Sequence, residues 1–169
     1  MFKSMLSSDN ILPNEYVLAT VIASCSDSAR AREGEQSHGF VVKSGLELHQ
    51  YVQNSLISFY FSCSNVESGI RVWTSLPLHD IFTYNSLLNG LLENGHFSEA
   101  LEIFTDMVNN HIFSWDGFTF STVLGLCASR KDLRLGTLLH CRLLKTNSPD
   151  YDAFLCSALV DMYGKCGKV

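Results

Sequence analysis

The sequence repeats itself at intervals of 31 to 36 residues, and this feature constrains the fold more than any other. Five segments align without gaps, and their starts are separated by 35, 31, 36 and 36 residues. The second residue of each segment is aromatic and the seventh is aliphatic. Repetition at this period is typical of arrays of stacked helical units. The segments begin at Glu15, Gln50, Ile81, Gly117 and Ala153, and their second residues are Tyr16, Tyr51, Phe82, Phe118 and Phe154.

Each unit is predicted to form two α-helices. Tyr84, Leu87, Leu88 and Leu91 are spaced as i, i+3, i+4 and i+7, which places them on one helical face. Gly95 follows, where the first helix of that unit is expected to end. A helical hairpin of this length cannot bury its own apolar face, so neighbouring hairpins must stack. The fold class predicted is all-α: a right-handed α-solenoid of stacked helix-turn-helix repeats of 31–36 residues, with about nine helices and almost no strand.

A small residue recurs in the second half of each complete unit and keeps the same uneven spacing. A longer period of 102 to 103 residues relates Cys25 to Cys127 and Cys63 to Cys166. When the opening stretch is shifted by 102 residues, it aligns with the end of a later unit. Residues 1–14 are therefore predicted to be the tail of a repeat, not a targeting peptide. The small residues are Gly34, Gly69, Ala100 and Gly136. The opening stretch aligns Phe2 with Phe104, Met5 with Met107 and Asn14 with Asp116.

Composition excludes several classes of protein. The chain has 169 residues, of which 46% are hydrophobic and 17% charged, unlike a disordered chain. No uninterrupted apolar run is long enough to span a membrane. The six cysteines form no C-x-x-C pair, so we expect free, mostly buried thiols instead of disulfides or zinc ligands. The net charge of −5 does not favour nucleic acid, because nucleic-acid binders usually carry a basic excess.

Motifs for catalysis are missing from the sequence. It has no H-x-E deaminase motif, no H-E-x-x-H, no G-x-S-x-G and no glycine-rich phosphate loop. We therefore predict that the chain is not an enzyme and has no catalytic residues, metal or cofactor.

The units resemble pentatricopeptide repeats, and their alternation resembles the P, L and S types of the plant PLS subclass. IFTYNSLLNGLLENGHFSEALEIFTDMVNNHIFSWD is close to a P-type motif, FTFSTVLGLCA and HCRLLKT resemble an L-type motif, and SALVDMYGKCGKV is close to the start of an S-type motif. The resemblance implies a fragment cut inside a repeat at both ends. It divides a single array over 1–169 into a P-type tail (1–14), L-type (15–49), S-type (50–80), P-type (81–116), L-type (117–152) and partial S-type (153–169) units.

The resemblance also implies a function for two positions of each unit. In pentatricopeptide proteins the fifth and the last residue of a repeat read one RNA base. By the same resemblance, Asn with Asp prefers uridine and Ser with Asp leans to guanosine, so the central preference would be U-U-G. The residues carried over are Asn54 with Asp80, Asn85 with Asp116, Ser121 with Asp152, and Ser157 without its partner.

Structural alternatives exist for each of these residues. The Asn side chains could be ordinary polar residues near a turn, and Asp80 and Asp116 could be N-caps of the following helices. Ala19 with His49 is not expected to read a base, because Ala offers no hydrogen bond. The aromatic second residues are expected to pack more than to stack on bases. His38 and His140 are expected to be structural.

Two functional hypotheses follow. The first is sequence-specific binding of single-stranded RNA in a mitochondrion or chloroplast, supporting C-to-U editing or other transcript processing, with any deaminase-like domain outside this chain. The alternative is a protein-interaction solenoid that docks accessory proteins, which the acidic balance favours. Clustering of Lys43, Lys145 and Lys165 on the concave surface would favour RNA. No membrane partner is expected. Self-association through uncapped ends is expected to involve Phe2, Met5, Leu159 and Met162.

Overall fold

The computed structural model describes residues 13–26, 30–109, 115–145 and 153–167, and the regular structure in these ranges is α-helical. It comprises nine helices there and no strand, so the all-α class predicted from the sequence is confirmed. The helices are α1 (Glu15–Ala23), α2 (Ala31–Lys43), α3 (Gln50–Ser62), α4 (Val66–Thr74), α5 (Ile81–Glu93), α6 (Phe97–Asn109), α7 (Gly117–Arg130), α8 (Leu133–Lys145) and α9 (Ala153–Lys165).

The helices alternate between two kinds. Helices α1, α3, α5, α7 and α9 begin at the five segment starts seen in the sequence, and we call them first helices. The others, α2, α4, α6 and α8, are second helices. None of the described helices is long and apolar enough to cross a membrane.

The chain forms two compact units, the first ending at His79 and the second beginning at Asp80. In the first unit, α3 packs against both α1 and α4. In the second unit, α7 packs against α5, α8 and α9. First helices therefore pack side by side within each unit, and each also packs against a second helix.

Burial follows from this packing. On α5 the four residues of the predicted apolar stripe, Tyr84, Leu87, Leu88 and Leu91, are all buried. Helix α7, with neighbours on several sides, buries nine of its residues, including the polar Thr119, Ser121 and Thr122. The second helix α6 buries only three, which lie along one face. The first helices thus supply most of the core.

The recurring small residues lie where helices approach closely. A Cβ atom added at Gly34 on α2 would lie 2.2 Å from the Phe59 ring on α3, and one at Gly136 on α8 would lie 2.4 Å from Met162 Sδ on α9. At Gly69 it would lie 2.7 Å from the Phe61 ring. The periodic small residue thus permits close contact between a second helix and a first helix.

Two histidines at equivalent positions join successive repeats. His38 Nδ1 on α2 and the Tyr60 hydroxyl on α3 share a hydrogen bond of 2.7 Å, and the rings meet edge to face. His140 Nδ1 on α8 and the Tyr163 hydroxyl on α9 repeat this arrangement at 2.9 Å. Both histidines therefore have structural contacts with the following first helix, as the sequence predicted.

Two expectations about side-chain exposure are wrong. All six cysteines are free, but only Cys25 and Cys127 are buried, while Cys141 and Cys156 are exposed. Burial raises the pKa of the Cys127 thiol to about 12, with Asp132 adding to the shift, so this thiol stays protonated at neutral pH.

The second concerns the surface expected to mediate self-association. Leu159 and Met162 are buried, Met162 against Gly136, and the exposed apolar side chains of α9 are Phe154 and Val160. Phe2 and Met5 lie outside the described residues, as does the predicted repeat tail apart from Pro13 and Asn14.

Replacing Gly34 by Ala should destabilise the protein by about 1–3 kcal/mol, because the Phe59 ring is 1% exposed and has little room to retreat from the new methyl group. Gly39 on the same helix has no atom within 4 Å of its added Cβ, so Gly39→Ala is the matched control. It should stabilise α2 by up to about 1 kcal/mol through helix propensity. Urea unfolding of both variants checks this, and equal effects would contradict the packing argument.

The His38–Tyr60 contact should make stability depend on pH. Burial lowers the pKa of His38 below its ordinary value of 6.5, and the charge of Glu47 opposes this. A lowered pKa in the folded state means that the unfolded chain binds the proton more readily. The contribution of His38 is therefore complete above pH 6.5 and is lost as the pH falls below it.

Urea unfolding at pH 7 and pH 5 measures this dependence. His38→Gln removes the titrating group and should reduce the loss of stability at pH 5. His49→Gln makes the same substitution at an exposed histidine without a capping hydrogen bond and is the matched control. A His38→Gln protein with an undiminished loss would show that His38 is not its source.

Candidate nucleic-acid interface

The residues predicted to read bases occupy equivalent places on the first helices. Each fifth residue lies in the second turn of its helix, and the last residue of a unit immediately precedes the next first helix. Asp152 lies outside the described residues. The fifth residues are Asn54 on α3, Asn85 on α5, Ser121 on α7 and Ser157 on α9.

Asp80 and Asp116 are both N-caps. The Asp116 Oδ1 atom accepts hydrogen bonds from the Thr119 backbone N–H and from the Thr119 hydroxyl, each at 2.8 Å. Asp80 Oδ1 does the same with Thr83, at 2.9 and 2.8 Å. The capping alternative raised from the sequence is therefore correct for both residues, and any contact with RNA must be made by a side chain that already caps a helix.

The second unit joins Asn85 to Asp116 through Thr119. The Asn85 Nδ2 group donates a hydrogen bond of 3.0 Å to the Thr119 hydroxyl oxygen, and that hydroxyl donates to Asp116 Oδ1. The three side chains form one hydrogen-bonded chain that connects α5, the start of α7 and the residue before it. The fifth and last residues of the unit at 81–116 are thus linked through the hydroxyl of Thr119.

Asn85 is buried within this chain. It is 5% exposed, and its Oδ1 atom is enclosed without a hydrogen-bond partner in the described part of the protein. The amide therefore retains an unmet acceptor next to a donor that is already engaged. A base can reach this acceptor only when the surrounding side chains move aside.

Trp115 holds the backbone next to Asp116. Its ring packs against Phe104 and Phe120, with centroids 5.4 and 5.5 Å away, and the Arg142 guanidinium lies 4.1 Å from the ring centroid. These contacts with α6, α7 and α8 anchor the residue that enters α7. The position of the Asp116 cap therefore depends on a packed aromatic cluster.

The other predicted readers differ from Asn85. Asn54 is half-buried, and its Oδ1 atom is likewise enclosed without a partner in the ranges described. The Ser121 hydroxyl donates to the Phe118 backbone carbonyl at 2.9 Å, and Ser157 is exposed. Asn54 belongs to the first unit and Asp80 to the second.

Ser121 and Ser157 line a shared cleft of about 370 Å³ in the second unit. Its walls come from three successive first helices, α5, α7 and α9. Phe118 and Phe154, the aromatic second residues of their segments, also line it, and Asp161 is its only charged lining residue among those described. The cleft combines hydroxyl groups with apolar rings, which suits an unstacked base better than a phosphate.

All five aromatic second residues are substantially exposed, at 46% to 63% of their surface. These side chains are therefore not part of the buried core, and the expectation that they pack more than they stack on bases stays a prediction. Tyr16 and Tyr51 still contact each other, with ring centroids 5.2 Å apart. Exposed rings beside the cleft are available for stacking.

Lys145 and Lys165 lie on different kinds of helix in the second unit. Lys145 ends the second helix α8, whereas Lys165 ends the first helix α9 and pairs with Asp161 at 2.9 Å. Lys43, which ends α2, belongs to the first unit, so the clustering of all three lysines on one surface stays a prediction. In the described ranges, no group of three or more His, Cys, Asp or Glu side chains is arranged to hold a metal ion.

The sequence reasoning missed Thr119 and Thr83. A signal was present, because both Asp residues open the pattern D-x-x-T, at 80–83 and 116–119. The equivalent residue after Asp152 is Leu155, which has no side-chain hydrogen-bonding group. The hydroxyl therefore follows both Asn/Asp pairs and is missing after the Ser/Asp pair.

Comparisons with known proteins give one consistent answer. Residues 79–129 match the model of the PPR repeat family. A pentatricopeptide repeat-containing protein of Arabidopsis thaliana is 40% identical over 169 residues, which are 100% of this chain and 24% of that protein. The Arabidopsis thaliana protein DOT4, named chloroplastic, is 34% identical over 99% of this chain and 19% of its own length. The chain thus spans about a quarter or less of these relatives.

A solved structure shares the fold. The crystal structure of the pentatricopeptide repeat protein PPR10, in complex with an 18-nt psaJ RNA element, superposes with a TM-score of 0.51 at 19% identity, over 98% of this chain and 29% of that one. The likeness is one of fold, that of a helical solenoid. The family match and the relatives show that this chain belongs to the pentatricopeptide repeat proteins.

Proposed function

We propose that this chain binds single-stranded RNA sequence-specifically, with each repeat contacting one base. The observation that carries the proposal is the hydrogen-bonded chain from Asn85 through Thr119 to Asp116, because it couples the two positions that read a base in this family. The solved complex of PPR10 with RNA supports the same use of the fold. The proposed base-contacting residues are Asn54, Asp80, Asn85, Asp116, Ser121, Asp152 and Ser157.

Two features of the surface support contact with bases. The cleft between first helices offers hydroxyls and rings at Ser121, Ser157, Phe118 and Phe154. Since single-stranded RNA exposes unpaired bases, exposed rings can stack on them at about 1–3 kcal/mol per base. The proposed role of the second residues is therefore stacking, while the fifth and last residues select the base.

The wider biological role is proposed by family membership. We propose that the units follow the P, L and S types of the PLS subclass with the boundaries given above, in a single array. Some relatives are named chloroplastic or mitochondrial, which supports an organellar location. The role proposed there is in C-to-U editing or other transcript processing, by binding and not by catalysis.

The second unit predicts a change of base preference for one substitution. Asn85→Thr replaces an amide that offers a donor and an acceptor with a single hydroxyl. The preference for the middle base of U-U-G should shift towards guanosine by about tenfold, the value of one or two hydrogen bonds. Binding of U-U-G and U-G-G oligonucleotides is compared at one fixed salt concentration, in a longer pentatricopeptide array carrying residues 15–152.

Asn109→Thr is the matched control for this experiment. Asn109 is exposed and ends the second helix α6. The control should keep the original ratio of the two affinities. An unchanged ratio in Asn85→Thr would show that this repeat does not read the base through Asn85.

A protein-docking role is the second candidate, and one observation favours it. Val42 on α2 and Leu144 on α8 occupy equivalent positions 102 residues apart and are 52% and 60% exposed. Repeated apolar side chains on the second helices, together with the net charge of −5, suit accessory proteins better than phosphates. Phe154 and Val160 would serve self-association in the same way. If docking is the sole role, Asn85→Thr leaves every RNA affinity ratio unchanged.

A further inference from the structure

We infer that Thr119 is a positioning residue that fixes the orientation of the Asn85 amide, and that it thereby sets the choice between uridine and cytidine at the unit 81–116. The inference deepens the proposed function and rests on it. Thr119 belongs to the following repeat and is not one of the two reading positions. Its hydroxyl nevertheless lies between them, 3.0 Å from Asn85 Nδ2 and 2.8 Å from Asp116 Oδ1.

The direction of these hydrogen bonds follows from donor and acceptor chemistry. An ionised Asp116 carboxylate only accepts, so the single proton of the Thr119 hydroxyl is donated to it. The Thr119 oxygen then has lone pairs to offer and no proton left. The Thr119 oxygen can therefore accept a hydrogen bond from the nitrogen of the Asn85 amide, whereas the amide oxygen has no proton to donate to it.

The Asp116 carboxylate is held in place, so it cannot rotate and change the direction of these hydrogen bonds. Its Oδ1 atom also accepts the Thr119 backbone N–H at 2.8 Å, which caps α7, and Trp115 beside it is packed among Phe104, Phe120 and Arg142. Because Thr119 and Asn85 are both buried, water does not compete for the hydroxyl. The cap therefore determines which end of the Asn85 amide faces Thr119.

The orientation of an amide matters for one distinction in particular. Uridine presents an N3–H donor beside an O4 acceptor, and cytidine presents an N3 acceptor beside an N4 donor. An Asn amide matches one of these pairs in one orientation, and it matches the other pair only after its amide group has rotated by half a revolution. A locked amide therefore separates the two pyrimidines, and a freely turning one does not.

The enclosed Asn85 Oδ1 agrees with this assignment. It is an acceptor without a partner in the described residues, so a donor on the base would relieve the cost of its burial. The N3–H group of uridine supplies that donor. The remaining Nδ2 proton of the amide is left for O4.

The distribution of threonines supports a link with Asn. The Asn/Asp pairs are followed by Thr83 and Thr119, whose hydroxyls both bind the capping Asp at 2.8 Å. The Ser121 unit is followed by Leu155. A serine has no amide to orient, so no positioning hydroxyl is required there.

The test compares U-U-G with U-C-G oligonucleotides at one salt concentration, in a longer pentatricopeptide array carrying residues 15–152. Thr119→Val keeps the shape of the side chain and removes the hydroxyl. It should lower the preference for uridine over cytidine at the middle base by about fivefold, the value of one hydrogen bond. Thr119→Ser keeps the hydroxyl and should retain the original preference.

Two further proteins complete the design. Thr105→Val makes the same substitution at an exposed threonine of α6, whose hydroxyl binds only the Leu101 carbonyl, and should change nothing. Circular dichroism establishes that each variant is folded. If Thr119→Val does not fold, Thr119→Ala removes the same hydroxyl with less volume and is measured instead.

The outcomes separate the two proposals. A wild-type array that distinguishes U-U-G from U-C-G and U-G-G, with the distinction from U-C-G lost in Thr119→Val and kept in Thr119→Ser, supports both. A wild-type preference that survives in Thr119→Val overturns the role of Thr119 and leaves base reading intact. A wild-type array with no preference at this base overturns base reading at this repeat and the inference with it.

Discussion

The contact between neighbouring first helices is the interaction on which the rest of the structure depends. A two-helix unit buries one face of each helix and leaves the flank of its first helix apolar. In the second unit, α7 packs between the first helices α5 and α9. Helix α7 consequently buries nine residues. Gly34 and Gly136 have no side chain, which lets each second helix approach the following first helix closely. Asn85, Ser121 and Ser157, which are proposed to contact bases, lie on first helices that pack in this way.

The same packing explains why one residue serves two purposes. The last residue of a unit stands at the start of the next first helix, where a carboxylate is favoured as an N-cap and by the helix dipole. Asp116 caps α7 and, through Thr119, also reaches Asn85 on the neighbouring α5. A stabilising cap and a proposed reading element are thus the same side chain. A substitution of Asp116 would change stability and the proposed recognition together. Thr119 is the more informative residue to alter, because its backbone N–H stays hydrogen-bonded in the cap when its side chain is replaced.

The sequence predicted most of what depends on local spacing. The period of the units, the apolar stripe of α5, the end of α5 before Gly95 and the capping alternative for Asp80 and Asp116 all follow from residues a few positions apart, and the structure agrees with each. It did not predict what depends on distances between helices. Thr119 meets Asn85 across 34 residues, and the aromatic second residues lie exposed because their neighbouring helices leave them uncovered. The burial of Leu159 and Met162 likewise results from the packing of α9 against α7 and α8.

Charge determines how such an array can hold RNA. With a net charge of −5 and its Lys165 paired to Asp161, this chain offers little of the phosphate neutralisation that usually supplies affinity. The cleft at Ser121 and Ser157 and the exposed rings beside it offer stacking and hydrogen bonds instead. These contacts act on bases, and hydrogen bonds distinguish one base from another, whereas phosphate contacts do not. Under the proposed function, repeats of this composition contribute more to the choice of sequence than to the strength of binding. Strong binding would then require many such repeats in succession.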